Sequence, residues 1–390
     1  MKTVYMDHAA TTAVDPRVVE EMLPVFTEVY GNASSMHHVG QAARKLVEEA
    51  RSKVAAAIGA NPGEIYFTSG GTEADNLALI GVAEAMGARK GKHMITTGIE
   101  HHAIFNSVAW LKENGFDITE LPVDQFGMVN PNDVEKAIRP DTILVSIMHA
   151  NNEIGTIEPI AEIGQICKKH GVYFHVDAVQ TVGHLPIDVN EMHIDLLSMS
   201  AHKFYGPKGV GALYLRRGVR IKSHLHGGEQ EKGLRPGTEN VPGIVGLGKA
   251  IEIAVAGMAE ENIRETALRD KLIAGLLKIP DVRLNGHPTQ RLTSNVNVSI
   301  SYIEGESILL SLDLKGICAS SGSACASGSL EPSHVLLAIG LDHPTAHGSL
   351  RLTLGRENTE EDVDYVLQVL PEIVQRLRKM SPIYPENLRK

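Results

Sequence analysis

Residues 171–215 read GVYFHVDAVQTVGHLPIDVNEMHIDLLSMSAHKFYGPKGVGALYL. The stretch holds three apolar runs of strand length, at 172–176, 195–199 and 210–215. Two of them end in polar residues. Asp177 closes the first, and Ser200, His202 and Lys203 crowd into four positions past the second. In open α/β sheets, ligands lie beyond the carboxyl ends of the strands, so these endings are candidate site positions. Upstream, further strands are expected at 65–68, 93–97 and 142–148, mostly with helical segments between them. Residues 38–58 place Val39, Ala43, Leu46, Ala50, Val54 and Ala57 at helical spacing, and Gly59 supplies the stop. This alternation predicts an α/β fold with a mostly parallel sheet. From about residue 258 the pattern changes. Long amphipathic helices, 259–278 and 359–378, flank isolated strands at 296–301 and 350–354. The expected division is a large domain over 1–257 and a smaller C-terminal α+β domain over 258–390, with the first 15 or so residues packing on the latter.

The chain has 390 residues, enough to bury a large core without disulfide staples. Lys plus Arg number 37 and Asp plus Glu 47, a net charge of −10, which disfavours nucleic acid and anionic membrane surfaces as partners. Only three cysteines occur, Cys167, Cys318 and Cys325, and they fit free thiols in a reducing compartment. No run approaches 18 consecutive apolar residues, and Asp7 interrupts any apolar leader. A cytoplasmic protein with no membrane span is expected.

Four constellations could carry chemistry. TSGGTEADN at 68–76 puts Gly70 and Gly71 in a turn ahead of a helix opened by Thr72. The free amides of a helix N-terminus and a hydroxyl there make an anion site, although a plain glycine turn with a threonine cap has the same signature. HVDAVQ at 175–180 sets Asp177 at a strand end, where it can pair with a cationic heterocycle or simply cap a helix. SMSAHKFYGPKG at 198–209 offers Lys203, an amine able to form an imine if partly desolvated. Any one of these is ordinary. Together they supply the amine, the pyridinium partner and the phosphate cradle that pyridoxal 5'-phosphate requires. The fourth, ICASSGSACASGSLEP at 317–332, sets Cys325 among Ser, Ala and Gly, unusual company for a thiol that otherwise prefers burial. Such a run is expected to be mobile at the surface. Cys318 reads as a strand-end core residue and Cys167 as the buried face of helix 160–170. The pairs His37/His38 and His101/His102 lack metal-ligand spacing. His101 follows a strand and Glu100 and is a candidate for the same pocket.

Taken together, YMDHAATT at the start, SAHKFYGPKG around Lys203, SSGSAC around Cys325 and SLRLTLGRENTEED near the end resemble the cysteine desulfurases, the NifS/IscS proteins of the class V aminotransferase group. The resemblance runs over essentially the whole chain. It implies a type I pyridoxal-phosphate transferase fold, a homodimer, and conversion of L-cysteine to L-alanine with the sulfur left as a persulfide on the loop cysteine. By this resemblance Lys203 is the lysine that carries the cofactor and Cys325 the persulfide cysteine. His101 stacks on the pyridine ring, Asp177 pairs with its nitrogen, and Gln180 neighbours its phenolic oxygen. Asn152 lies near that oxygen and the substrate carboxylate. Gly71, Thr72, Ser200 and His202 form the phosphate site, Thr238 reaches the phosphate from the other subunit, and Arg351 binds the substrate carboxylate. An iron–sulfur scaffold protein is the implied sulfur acceptor. A persulfide on Cys325 is also a soft ligand, so transient iron binding there is a further expectation. The chain departs from the common family pattern at Ala326 and Gly328 in the cysteine loop and at Ala33, where proline is usual. Its long SSGSAC loop resembles the group that feeds scaffolds, and its ending MSPIYPENLRK looks more NifS-like than the longer IscS tail. The competing readings are another pyridoxal-phosphate reaction, as in an aminotransferase or selenocysteine lyase, and a non-enzymatic sulfur carrier.

Overall fold

The computed structural model describes residues 3–321 and 331–385; Cys325 and its neighbours at 322–330 lie outside the described residues. The strands are β1 (Val4–Tyr5), β2 (Ile65–Thr68), β3 (His93–Thr97), β4 (Asp117–Leu121), β5 (Thr142–Ser146), β6 (Tyr173–Asp177), β7 (Leu196–Ser200), β8 (Gly211–Leu215), β9 (Val282–Leu284), β10 (Asn295–Ile300), β11 (Ile317–Cys318) and β12 (Ser349–Thr353). The helices are α1 (Pro16–Thr27), α2 (His38–Ala57), α3 (Gly71–Met86), α4 (His102–Glu113), α5 (Pro131–Ala137), α6 (Ile160–His170), α7 (Val241–Leu276), α8 (Gly305–Asp313), α9 (His334–Ala338), α10 (His343–His347) and α11 (Glu360–Met380).

Seven strands form the main sheet in the order β2-β8-β7-β6-β5-β3-β4. Every neighbouring pair is parallel except the two that involve β8, so β8 alone runs against the others. Strands β3, β5, β7 and β8 are buried at all five residues. Helices on both faces demand that burial, and it explains why these strands read as unbroken apolar runs. Six of the seven strands fall within a residue or two of their sequence-based positions; the seventh, β4 at the sheet edge, was not expected, because it is half exposed and lacks an apolar run. Between β6 and β7 the chain crosses by turns, without a helix.

The parallel arrangement brings the carboxyl ends of β2, β3, β5, β6 and β7 to one edge of the sheet. The loops leaving that edge carry Gly70–Thr72, Glu100–His101, His149–Asn152, Asp177–Gln180 and Ser200–Lys203. Glycine is required in the first of them. Gly70 has φ 156°, and a Cβ on Gly211 of the adjoining β8 would fall 2.7 Å from the Gly70 Cα. Side chains cannot occupy that gap, so the β2–α3 turn sits directly against the sheet.

A second core packs β9, β10 and β12 against α8 and α11. The start of the chain belongs to it. Val4 and Met6 are buried there, β1 pairs in parallel with β11, and Asp7 bridges to Thr353. Helix α7 runs unbroken for 36 residues through position 257. Its first half (Val241, Ile244, Leu247, Ile251) joins the sheet core and its second half (Leu268, Leu272, Leu276) the other core. The sequence-based start at 259 is late because residues 241–258 carry only Lys249 and Glu252 as charged residues among small and apolar ones, too few to mark a polar face. Pro242 sits in the first turn, where its missing N–H costs nothing. By length and mean hydropathy, 1.5, α7 could cross a membrane, yet 56% of its most apolar window is buried inside the protein, as in a core helix. Cys167 is fully buried on α6, and Cys318 is only half-buried in β11.

Replacing Gly211 by Ala would push its Cβ into the Met199 carbonyl, at 2.5 Å, and the Gly70 backbone. Gly211→Ala should lower unfolding free energy by about 1–3 kcal/mol, the usual scale for overpacking. Urea unfolding with an unchanged midpoint would contradict the tight turn-to-sheet contact.

Candidate active site

A cavity of about 320 Å³ opens at the carboxyl edge of the sheet. Of the residues singled out from the sequence, Gly71, Thr72, His101, Asn152, Asp177, Gln180, Ser200, His202, Lys203 and Arg351 line it. Thr238 does not. It is exposed in the loop before α7, close to Arg235, which pairs with Glu73 in the first turn of α3 at 2.8 Å. Cys325 lies outside the described residues.

Lys203 ends a short 3₁₀ turn, Ala201–Lys203, that follows β7 directly. Its Nζ donates to the carbonyls of Ala9, 2.5 Å, and Ala10, 2.9 Å. The same Ala9 carbonyl accepts from Gln180 Nε2 at 3.1 Å. Asp177 is the last residue of β6 and only 5% exposed. One carboxylate oxygen accepts from the Val179 amide. Burial pushes its carboxyl up to about 6 against the opposing pulls of that amide and of Lys203.

Three further carboxyls line the cavity. Glu100 accepts from the Thr97 hydroxyl and the Met148 amide and is pushed up to about 8 by burial. Glu153, buried beside Arg351 and hydrogen-bonded by Ser333, rises to about 7 for the same reason. Asp75 of α3 is held well above the carboxylate range by burial and then by repulsion from Asp177. Burial also lowers the imidazoles of His101 and His202 to about 4, with Lys203 adding repulsion. At neutral pH Glu100 is therefore largely proton-bearing, Glu153 sits near its midpoint, and His101 and His202 are uncharged. Asp177, at about 6, is mainly ionised and feels the positive charge of Lys203.

Each remaining group is fixed locally. His101 is the N-cap of α4, and its Nδ1 accepts from the Ala103 amide at 3.1 Å, which leaves the ring proton on Nε2. His202 Nδ1 meets the Thr11 hydroxyl at 3.1 Å. Arg351 is 2% exposed; Nη1 donates to the Asn152 carbonyl and Nη2 to Asp7, at 3.0 and 2.9 Å, while its buried Nε makes no hydrogen bond. At the opposite end, Gly71, Thr72 and Ser200 surround the start of α3, whose first amides have no partner within the helix. A Cβ on Gly71 would lie 2.6 Å from Val179 Cγ2, so glycine keeps this end open.

Sequence reasoning missed Asp75, Glu153, His334, and the carbonyls of Ala9 and Ala10. Asp75 follows Thr72 by one helical turn, a spacing that could have flagged it. The Ala9 and Ala10 contacts are made by main chain and leave no side-chain signal. Among the described residues, no three His, Cys, Asp or Glu gather as a metal site. The arrangement provides an anion cradle at a helix start, a buried carboxylate, a held amine and a buried guanidinium around one cavity. A phosphorylated heterocycle and an amino acid fit that set.

Comparison with known proteins agrees. The Aminotransferase class-V family model matches residues 4–366. A protein named cysteine desulfurase IscS from Methanosarcina thermophila is 61% identical over all of this chain and 96% of its own length. One of the same name from Dictyoglomus turgidum is 56% identical over 99% of this chain and 98% of its own. A solved structure titled NifS-like protein superposes with a TM-score of 0.91 at 43% identity, covering 96% of this chain and all of that one. The chain thus belongs to the class-V aminotransferase family and, within it, to the cysteine desulfurases of the NifS/IscS type.

Proposed function

We propose that the protein converts L-cysteine to L-alanine and passes the sulfur, as a persulfide on Cys325, toward iron–sulfur cluster assembly. The observation that carries this reading is the placement of Lys203, Asp177 and Arg351 around one cavity whose far end is the start of α3. The family is pyridoxal-phosphate dependent, and the residues present fit that group. The space left by Gly71, the α3 amides, Thr72, Ser200 and His202 would hold its phosphate. Asp177 would face its ring nitrogen, His101 its ring face, Gln180 and Asn152 its phenolic oxygen, and Lys203 its aldehyde carbon. When bound, the cofactor supplies a conjugated electron sink for charge that develops at the substrate α-carbon.

The chain's own residues do the rest. Arg351 binds the substrate carboxylate and sets the amino acid's orientation. Lys203, held by Ala9 and Ala10, accepts the α-proton at Nζ and later returns a proton to carbon. Uncharged His101 adds no positive charge to repel the neighbouring lysine. The Cys325 thiolate attacks the substrate sulfur, an S–S bond forms, and the carbon–sulfur bond breaks. A neighbouring copy supplies Thr238 to the phosphate. The face of α1 supports such a dimer, with Leu23 59% and Phe26 59% exposed, continued by Tyr30 at 70%. The sulfur acceptor is an iron–sulfur scaffold protein, and the free thiols fit a cytoplasmic setting.

Lys203→Ala should cut alanine release by about 10²–10⁴-fold, the range for a lost acid–base group, while the protein stays folded. A near wild-type rate in an alanine assay would remove Lys203 from this role. Cys325→Ser should still bind the cofactor but should release no alanine, because a hydroxyl attacks sulfur far more weakly than a thiolate. After incubation with cysteine, mass spectrometry should find one added sulfur on the peptide carrying Cys325. The gain appearing on Cys167 or Cys318 instead would overturn the sulfur path.

A further inference from the structure

Behind Lys203, on the side away from the main cavity, lies a second small cavity of about 20 Å³. Its wall includes His8, Gln180, Lys203, Ser294 and Thr353. That volume takes about one water, and polar side chains stand beside Ala9, Leu292 and Leu354 in its wall. His8 is 9% exposed, and neither ring nitrogen has a partner at full hydrogen-bond geometry, although the Tyr5 main chain and the Asn358 side chain lie near it. A buried imidazole whose nitrogens lack full hydrogen bonds is costly unless something bonds to it.

The site is shaped around that ring. A Cβ on Gly355 would lie 2.4 Å from His8 Nδ1 and 2.5 Å from the Tyr205 hydroxyl, so a side chain there would displace the ring. The edge of His8 meets the Tyr5 ring at 4.9 Å. Its outer nitrogen, Nε2, lies 3.9 Å from a Glu357 carboxylate oxygen, and Glu357 is 60% exposed. The titratable neighbours are Asp7 and Tyr5 from the chain start, Tyr205 after β7, and Glu357 after β12. Arg356 stacks on the far ring of Tyr205. Burial holds His8 below its ordinary value, against the pull of Glu357. It is therefore uncharged at neutral pH and can accept a proton.

We infer that a water in this cavity, His8 and Glu357 form a rear proton path that connects Lys203 to solvent. The proton that Lys203 takes from the substrate moves from Nζ to the water. The water gives a proton to His8, and His8 gives one through Nε2 to Glu357 and bulk solvent. Every carrier ends with the protons it began with. Such a path matters because cofactor and substrate fill the front cavity while Lys203 holds its proton.

This inference rests on the proposed role of Lys203, and its test separates the two. A crystal structure of the cofactor-free protein at about 1.5 Å should show a water within about 3.2 Å of His8 and of Lys203 or Gln180. A dry cavity, or one filled by a side chain, would overturn the path. The loaded enzyme is then given cysteine deuterated at Cα in ordinary water. Wild-type alanine should retain little deuterium at Cα. His8→Gln keeps polar contacts but cannot relay a proton, and it should raise that retention at least several-fold with pyridoxal-phosphate affinity within about threefold of wild type. Glu357→Gln, at an exposed position, should raise retention in the same direction. Unchanged retention in both variants would sink the relay and leave the desulfurase reading intact. A wild-type enzyme that makes no alanine would instead refute that reading.

Discussion

Lys203 and Asp177 are opposite charges set at the ends of adjacent buried strands, and much of the architecture serves to keep both there. An isolated ion in a protein interior costs several kcal/mol unless partners replace its water. Two main-chain carbonyls meet the ammonium, and the Val179 amide meets the carboxylate. Strands β6 and β7 pair in parallel, with Asp177 opposite Ser198, so the relative height of the two groups is fixed by sheet register. A one-residue slip would turn either side chain to the other face.

That constraint accounts for the unusual use of the chain's first residues. The carbonyls that hold Lys203 come from Ala9 and Ala10, and those residues are tied to the second core. The Ala9 amide donates to the Thr353 hydroxyl, and Asp7 pairs with Arg351. Arg351 itself stands on β12 of that core and reaches back to the Asn152 carbonyl beside the main sheet. The amine of Lys203 and the guanidinium of Arg351, both proposed to act on the substrate, are thus linked through one short N-terminal strap. Displacement of the second core against the sheet would disturb both groups together.

Six of the seven sheet strands were legible in the sequence because they are largely buried and read as short apolar runs, whereas the half-exposed edge strand β4 reads as polar and was missed. Lys203, Asp177, Ser200 and His202 were legible only in combination with the glycine turn at 70–71, since each alone has an ordinary structural use and together they match the needs of one cofactor. Helix α7 was only half legible. Its first half is largely buried and carries too few polar residues to mark a surface helix. Asp75, Glu100 and Glu153 are another matter. A carboxylate in a sequence reads as solvated, and only the fold shows that these three are buried, with their carboxyls pushed up by that burial. The strap at Ala9 and Ala10 acts through its main chain, so its residue types carry no mark of the contact. Thr238 has an expected role that needs a second copy of the chain, and within one copy it stands exposed.

Centrally, we propose that ionised Asp177 would keep the ring nitrogen of bound pyridoxal phosphate protonated, so that the ring can take up the electron pair left at the substrate α-carbon. Exchange of the α-hydrogen of L-alanine with deuterated solvent, followed by proton NMR, reports that step without sulfur chemistry. Asp177→Asn keeps the shape of the side chain and removes its charge. With pyridoxal phosphate bound at wild-type occupancy, the variant should exchange more slowly by about 10²-fold or more, the scale on which one preorganised electrostatic contact acts. Exchange at the wild-type rate would contradict the account.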